Sequence, residues 1–334
     1  MNEVLDDIKE NKIKNIYYFY GSEKYLVNFY INKLLEAIVD KVSRDLNYDM
    51  FDDKTANVER ILESMETLPI FAYKRVVYLR NIGLFDKKSK ALLQKLSDSM
   101  AKISDTTCLI IEEHALEKGQ GKFNNILKNQ DVCRIVNCEI QKESILVKWI
   151  QKKFRELEKD IDTKTATYML RKIGFDMNNI LSEINKLSSF KGFENNIRIN
   201  DIDQICTQSI DSKIFDLLDG IGQKNLTKAM NTYTNLIYMQ EPVQRILYMI
   251  SRQFMFIADV KMLFDKGYSI DEITEITKSR KFIVIECKKQ SEHFTNTNLK
   301  CILNRCLDID LSIKKGILNP RLALELFIIE VARK

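Results

Sequence analysis

The sequence is poor in the two residues that interrupt regular structure, since its 334 residues include only 10 glycines and 3 prolines. This scarcity disfavours a β-sandwich or a disordered chain and favours long helices with short connections. No apolar run approaches the roughly 18 residues that a membrane span requires. The opening residues, Met-Asn-Glu-Val-Leu-Asp-Asp, lack the basic and apolar regions of a signal peptide. We therefore expect a soluble, cytoplasmic protein.

Cysteine and histidine are too few and too scattered to form a recognisable catalytic or metal centre. The seven cysteines are an odd number in a long chain, so we expect reduced thiols and no disulfide framework. The pairs Cys133/Cys138 and Cys301/Cys306 are each five residues apart, and residues at this separation do not share a face of a helix. The two histidines are isolated, and no nucleophile elbow or metalloprotease motif occurs. The sequence thus predicts no catalytic residue, no metal and no cofactor.

The formal net charge of +5 is unevenly distributed along the chain. Residues 212–334 carry 19 basic and 14 acidic side chains, which accounts for the whole excess. An excess of this size is weaker than the dense basic stripe of a dedicated DNA-binding domain. Two interpretations stay open: solvated helix faces, or an electrostatic contact with nucleic acid.

Short apolar strands alternate with amphipathic helices over residues 1–141. Such alternation predicts a mostly parallel sheet that is covered by helices. The strand candidates are 16–20, 47–51, 75–79, 108–111 and 133–136, and the helices are 25–39, 58–65, 89–100 and 123–128.

After residue 141 the strand pattern stops, and apolar residues recur at helical spacing to the end of the chain. Gly174 and Asp176 are typical of a helix end and the N-cap of the next helix. A short extended piece over 197–201 is predicted to lead into a small helix, with a boundary near 209–212. The other helix candidates are 144–157, 164–173, 176–187, 215–222, 226–239, 243–266, 270–277, 281–291, 297–315 and 320–332.

The first predicted strand ends at Gly21 and runs into a helix, which is where nucleotide-binding α/β domains place a phosphate loop. Such a loop requires a second glycine followed by Lys-Ser or Lys-Thr, because backbone amides and the lysine hold the phosphates. Here Gly21 is followed by Ser22, Glu23, Lys24 and Tyr25, so the second glycine is missing and Glu23 adds a negative charge. We predict a degenerate phosphate loop at Gly21, Ser22 and Glu23 that binds no nucleotide.

The connection before the third predicted strand is unusually apolar for a loop. It places Leu68, Ile70 and Phe71 around the helix-breaking Pro69, although loops normally lie on the surface. One interpretation is that these side chains fold back under the sheet. The other is that Leu68, Ile70 and Phe71, which we call the plug, are exposed and enter a pocket of a partner protein.

Five segments, taken together in their order and spacing, resemble the delta subunit of the bacterial DNA polymerase III clamp loader over essentially the whole chain. These segments are YYFYGSEKYL at 17–26, LPIFAYKRVV at 68–77, DMNNILSEINKL at 176–187, IFDLLD at 214–219 and NPRLALE at 319–325. The resemblance implies an α/β plus all-α fold with three domains. They are an AAA+ type parallel α/β domain over 1–141, a small helical lid domain over 142–211, and a C-terminal helical collar domain over 212–334.

The resemblance also implies a function without ATP hydrolysis. The family opens the ring-shaped sliding clamp, the beta subunit, with a hydrophobic wedge that Ile70 and Phe71 match, and Leu68 lies beside them. Lys74 and Arg75 are expected to add charge attraction to an acidic clamp. The implied partners are the gamma/tau motor and delta-prime subunits of the clamp loader, with primed DNA inside the complex.

Three alternatives predict different features. An active ATPase such as the gamma/tau motor subunit needs a complete phosphate loop, and the delta-prime subunit typically has a four-cysteine zinc module and a Ser-Arg-Cys motif. The sequence contains none of these features. A non-catalytic, AAA+ like helical DNA-binding or scaffold protein would instead bind DNA with a steep salt dependence and would be indifferent to Phe71.

Overall fold

The computed structural model describes residues 3–40, 42–86, 89–116 and 121–333. The chain divides into two compact units, one that extends to Gln141 and one that begins at Lys142. The predicted further division of the second unit, between residues 211 and 212, stays a prediction. In the described part of the chain, no helix is both long enough and apolar enough to cross a membrane.

The first unit is built on a parallel sheet of five strands, in the order β2-β3-β4-β1-β5. The strands are β1 Ile16–Tyr20, β2 Tyr48–Asp52, β3 Arg75–Arg80, β4 Thr107–Glu113 and β5 Cys133–Asn137. The helices are α1 Glu3–Lys9, α2 Lys24–Ile38, α3 Arg44–Asn47, α4 Val58–Glu66, α5 Lys90–Met100 and α6 Lys122–Lys128. Every predicted strand overlaps one of the observed strands, and the predicted parallel sheet is confirmed.

The central strands are apolar on both faces because helices cover the sheet on both sides. On one face, Tyr18 and Ile111 belong to a buried cluster that includes Ile61 of α4 and Leu96 of α5. On the other face, the ring of Phe19 stacks on that of Tyr30 in α2, with centroids 6.3 Å apart. Burial on both faces fixes the register of the strands, and so it fixes which residues stand at each edge of the sheet.

The second unit is helical apart from an isolated bridge between Asp160 and Asn196 in the described residues. A single buried cluster joins α11 to α17 and includes Tyr233, Phe254 and Phe327. The helices are α7 Glu143–Glu156, α8 Thr163–Ile173, α9 Met177–Lys191, α10 Ile199–Ile205, α11 Ile210–Gly222, α12 Leu226–Tyr238, α13 Val243–Asp265, α14 Ile270–Thr277, α15 Lys281–Ser291, α16 Asn296–Lys314 and α17 Pro320–Arg333.

Local signals decide where these helices begin and end. Gly174 ends α8 with φ +92°, and the Asp176 side chain caps α9 by accepting from the Asn179 amide at 2.8 Å, so both predictions are confirmed. The predicted extended piece over 197–201 is too long: Arg198 is extended, but the predicted small helix, α10, already begins at Ile199. The Asp201 carboxylate accepts from the Arg198 amide at 2.8 Å, which satisfies a free donor at the start of that helix.

An aromatic stack joins the two predicted parts of the second unit. The guanidinium of Arg280, at the start of α15, lies 3.7 Å from the ring centroid of Phe175, which follows α8. The Phe175 ring also stacks on that of Phe282, with centroids 5.4 Å apart. Contacts of this kind add stability beyond the area they bury, so they bind α8 and α15 into one compact unit.

Candidate functional site

The turn after β1 lies at the carboxyl edge of the sheet, where open α/β folds bind their ligands. Gly21 has φ +127°, and a side chain there would stand 2.5 Å from the Glu139 nitrogen and closer still to the Cys138 carbonyl. The Glu23 amide donates to the Cys138 oxygen at 2.8 Å, and the Cys138 amide donates to the Tyr20 oxygen. The turn is therefore closed against the segment that follows β5.

Glu23 places a carboxylate at the N-terminus of α2. Its side chain is buried and accepts from the Tyr25 amide at 3.2 Å, so it is the N-cap of the helix. The positive end of the helix dipole favours an anion at this position, and here the protein supplies its own. The amides of Glu23 and Tyr25 are both used within the protein. The arrangement suits a helix start, and the predicted lack of nucleotide binding at Gly21, Ser22 and Glu23 stays a prediction.

Two further carboxylates stand at the carboxyl end of β4. Glu112 accepts from the Tyr78 hydroxyl and, at 2.9 Å, from the Asn81 side chain. Glu113 accepts from the Leu84 amide at 3.1 Å, and burial raises the pKa of its carboxyl group above the ordinary value. In the described residues, no group of three or more histidine, cysteine or acidic side chains is placed to hold a metal ion. These two carboxylates order the backbone after β3.

The plug lies at the opposite, amino edge of the sheet, because it connects α4 to the first residue of β3. Phe71 is 92 % exposed, Leu68 67 % and Ile70 44 %. The interpretation that these side chains fold back under the sheet is therefore wrong. Phe71 has φ +54°, a left-handed conformation that is unusual for an aromatic residue. Such an exposed apolar group can serve as an anchor in a protein interface.

A buried asparagine holds the plug in this position. Asn47 is fully buried at the end of α3, immediately before β2. Its side-chain oxygen accepts from the Ile70 amide at 2.7 Å, and its side-chain nitrogen donates to the Ile70 oxygen at 2.6 Å. The same nitrogen donates to the Ser43 oxygen at 2.9 Å. Sequence reasoning missed Asn47, because no local signal connects position 47 with position 70.

The expected role of Lys74 and Arg75 in attracting an acidic clamp is wrong. Lys74 is only 4 % exposed, and burial lowers the pKa of its ammonium group. Arg75 donates to the Leu46 oxygen at 2.7 Å and forms an ion pair with Asp49 at 2.5 Å. Lys74 is buried and Arg75 is bonded to Leu46 and Asp49, so neither presents its charge to a partner.

The basic excess of residues 212–334 is partly neutralised by pairing on the helix surfaces. Examples are Lys228 with Asp219 at 2.5 Å and Arg305 with Glu330 at 3.3 Å. Exposed pairs of this kind contribute little stability. They also reduce the charge that is available to attract phosphates.

All cysteines of the described chain are free thiols, as predicted.

Comparison with known proteins relates both units to one family. The family model "DNA polymerase III, delta subunit" matches residues 17–139, and the model "DNA polymerase III delta subunit, C-terminal domain" matches residues 211–331. The chain is 22% identical over 338 residues to the DNA polymerase III subunit delta of Bacillus subtilis, covering 99% of this chain and 97% of that protein. It is 18% identical over 304 residues to the probable DNA polymerase III subunit delta of Aquifex aeolicus, covering 89% and 85%.

A solved structure resembles the whole chain. The Bacillus subtilis DNA clamp loader delta protein superimposes with a TM-score of 0.73 at 22% sequence identity, covering 99% of each chain. This likeness confirms the predicted fold class, a parallel α/β domain followed by helical regions.

Proposed function

Since the chain belongs to the DNA polymerase III delta subunit family, we propose that it acts in a clamp loader and binds the ring-shaped sliding clamp, the beta subunit, through the plug. The observation that carries this proposal is the exposure of Phe71, at 92 %. Burying a large apolar side chain in a partner's pocket contributes about 1.5–3 kcal/mol. Exposed aromatic and aliphatic side chains that lie together are the anchors on which such interfaces depend.

The proposed mechanism is differential binding. A ligand shifts an equilibrium only by the difference between its affinities for the two states. A plug that fits the clamp better when one of its interfaces is open therefore holds the open form, which can then be loaded onto primed DNA. No bond is made or broken by this chain. The proposed clamp loading takes place in the cytoplasm at the nucleoid, where DNA is replicated.

We further propose that the chain hydrolyses no ATP and leaves that step to the gamma/tau motor subunits. The turn after β1 supports this proposal. The Glu23 carboxylate occupies the N-terminus of α2, where a phosphate would otherwise bind, and the Glu23 amide donates to the Cys138 oxygen. Residues 212–334 would join the motor and delta-prime subunits in a ring. A phosphate-release assay on the full chain alone tests the point, and steady hydrolysis of ATP would refute it.

The clamp proposal is tested by co-purification of the full chain with the sliding clamp. We expect wild-type chain to retain the clamp and the double variant Ile70→Ala/Phe71→Ala to lose it. Thermal melting of both proteins is the control, and it should be unchanged because Phe71 makes little contact with the rest of the chain. Clamp retention by the double variant, with normal melting, would contradict the proposal.

A second candidate is a helical DNA-binding or scaffold protein, favoured by the location of the charge excess in residues 212–334. This candidate predicts that the isolated chain binds duplex DNA with an affinity that falls steeply with salt. It also predicts that Phe71→Ala leaves the protein's activity unchanged. Measuring DNA and clamp affinities of the same two proteins separates the candidates.

A further inference from the structure

The backbone of the plug is held by one side chain that comes from a different part of the chain. The α3–β2 junction and the loop before β3 meet because β2 and β3 are neighbouring parallel strands. Both segments therefore stand at the amino edge of the sheet. Asn47 spans the gap with two hydrogen bonds to Ile70, at 2.7 and 2.6 Å.

These bonds restrict a loop that would otherwise change conformation to bury its apolar side chains. Exposed Leu68 and Phe71 gain free energy by turning toward any apolar surface, so an untethered loop would sample many conformations. Asn47 fixes both the amide and the carbonyl of Ile70. Phe71, the next residue, is held in its left-handed conformation with its ring in solvent.

We propose that Asn47 is a positioning residue for clamp binding, acting through Ile70 to hold the plug in its binding conformation. The inference depends on the proposed function of the plug. A binding-competent conformation that is only partly populated weakens the apparent affinity by its populated fraction. Fixing the loop in advance also avoids the entropy cost of ordering its side chains on binding.

The chemistry of asparagine explains why this residue type suits the role. Its amide group carries a donor and an acceptor, and the two atoms face the carbonyl and the amide of the same residue. Aspartate has nearly the same shape but lacks the donor, and it would place a charge beside the Ile70 and Ser43 oxygens. Asn47→Asp therefore removes the tether on the carbonyl side with little change in volume. Asn47→Ala, which removes both hydrogen bonds to Ile70 without adding a charge, is the replacement if the aspartate variant does not fold.

The experiment measures the affinity of the full chain for the sliding clamp by surface plasmon resonance, with Asn57→Ala as the matched control. Asn57 caps the N-terminus of α4 by accepting from the Arg60 amide at 3.1 Å, so its loss destabilises the helix that leads into the plug without touching Ile70. We expect Asn47→Asp and Asn47→Ala to weaken clamp binding about tenfold, which corresponds to about 1.4 kcal/mol. We expect Asn57→Ala to leave it within about twofold.

A double-mutant cycle with Phe71→Ala separates positioning from general destabilisation, and urea unfolding of each variant records stability. If Asn47 acts through the plug, its effect on affinity falls below about threefold once Phe71 is gone. An equal loss in both backgrounds, or no loss in Asn47→Asp, would overturn the inference. Clamp binding that is unaffected by Phe71→Ala itself would instead reject the proposed function.

Discussion

Truncating Phe71 gives the sharpest test of the plug, because the size of the effect follows from the structure. A phenylalanine buries about 150–250 Å² when it enters an interface. With 92 % of Phe71 exposed in the free chain, nearly all of that area is available to a partner. At about 25 cal/mol per Å², the upper limit of the gain is about 3.5–6 kcal/mol. Truncating an anchor residue typically costs about 2–4 kcal/mol of binding free energy, so Phe71→Ala should weaken clamp binding by about 30-fold or more.

Calorimetric titration of the clamp with wild type, Phe71→Leu and Phe71→Ala should show a graded loss of affinity that follows the apolar area removed. Phe193→Ala is the matched control, since Phe193 is fully exposed in the second unit and is not part of the plug. That variant should bind within about twofold of wild type. Loss of less than about threefold in Phe71→Ala, with unchanged melting, would refute the assignment of Phe71 as an anchor.

Two other predictions concern the carboxyl edge of the sheet. Gly21→Ala should destabilise the first unit by about 3–5 kcal/mol, measured by urea unfolding, because the new methyl group overlaps the backbone near Glu139 in a conformation that disfavours side chains. A loss below about 1 kcal/mol would contradict the observed packing of the turn. Glu113→Gln should become more stable relative to wild type as pH rises. Burial raises the pKa of the Glu113 carboxyl group in the folded wild type. The resulting contribution to the free energy of unfolding is complete below the pKa of the unfolded state, and it is lost as pH rises through the pKa of the folded state. Glutamine keeps the acceptor for the Leu84 amide, so a stability difference that is flat from pH 4 to 8 would argue against burial of the charge.

The α/β framework was predictable from the sequence because its signals are local. The run at 108–111 is apolar at every position, which is typical of a strand covered on both faces, and it forms the core of β4. In the second unit, the caps Gly174 and Asp176 likewise bond to residues only three or four positions away in the sequence. The extended piece over 197–201 was predicted too long, because the Asp201 carboxylate caps a helix that begins at Ile199.

The site was only half predictable. Pro69 and its apolar neighbours indicated an unusual loop. The loop is exposed, as the second of the two interpretations of the sequence required. Its support was not predictable, because Asn47 reaches Ile70 only through the pairing of β2 with β3. The error over Lys74 has the same origin: its charge is visible in the sequence, but its burial depends on residues that pack around it in three dimensions.

The two edges of the sheet are far apart, and this separation bears on the proposed function. β3 begins at Arg75, beside the plug, and ends at Arg80, beside the carboxyl edge. At about 3.3 Å per residue, its six residues separate the two edges by about 20 Å of buried strand. Side chains at the carboxyl edge, such as Glu23, can therefore change without altering the contacts that Asn47 makes with the plug. On the proposed function, any nucleotide-driven motion must come from neighbouring subunits and must move the plug together with its sheet, since a packed sheet transmits displacement as a rigid body.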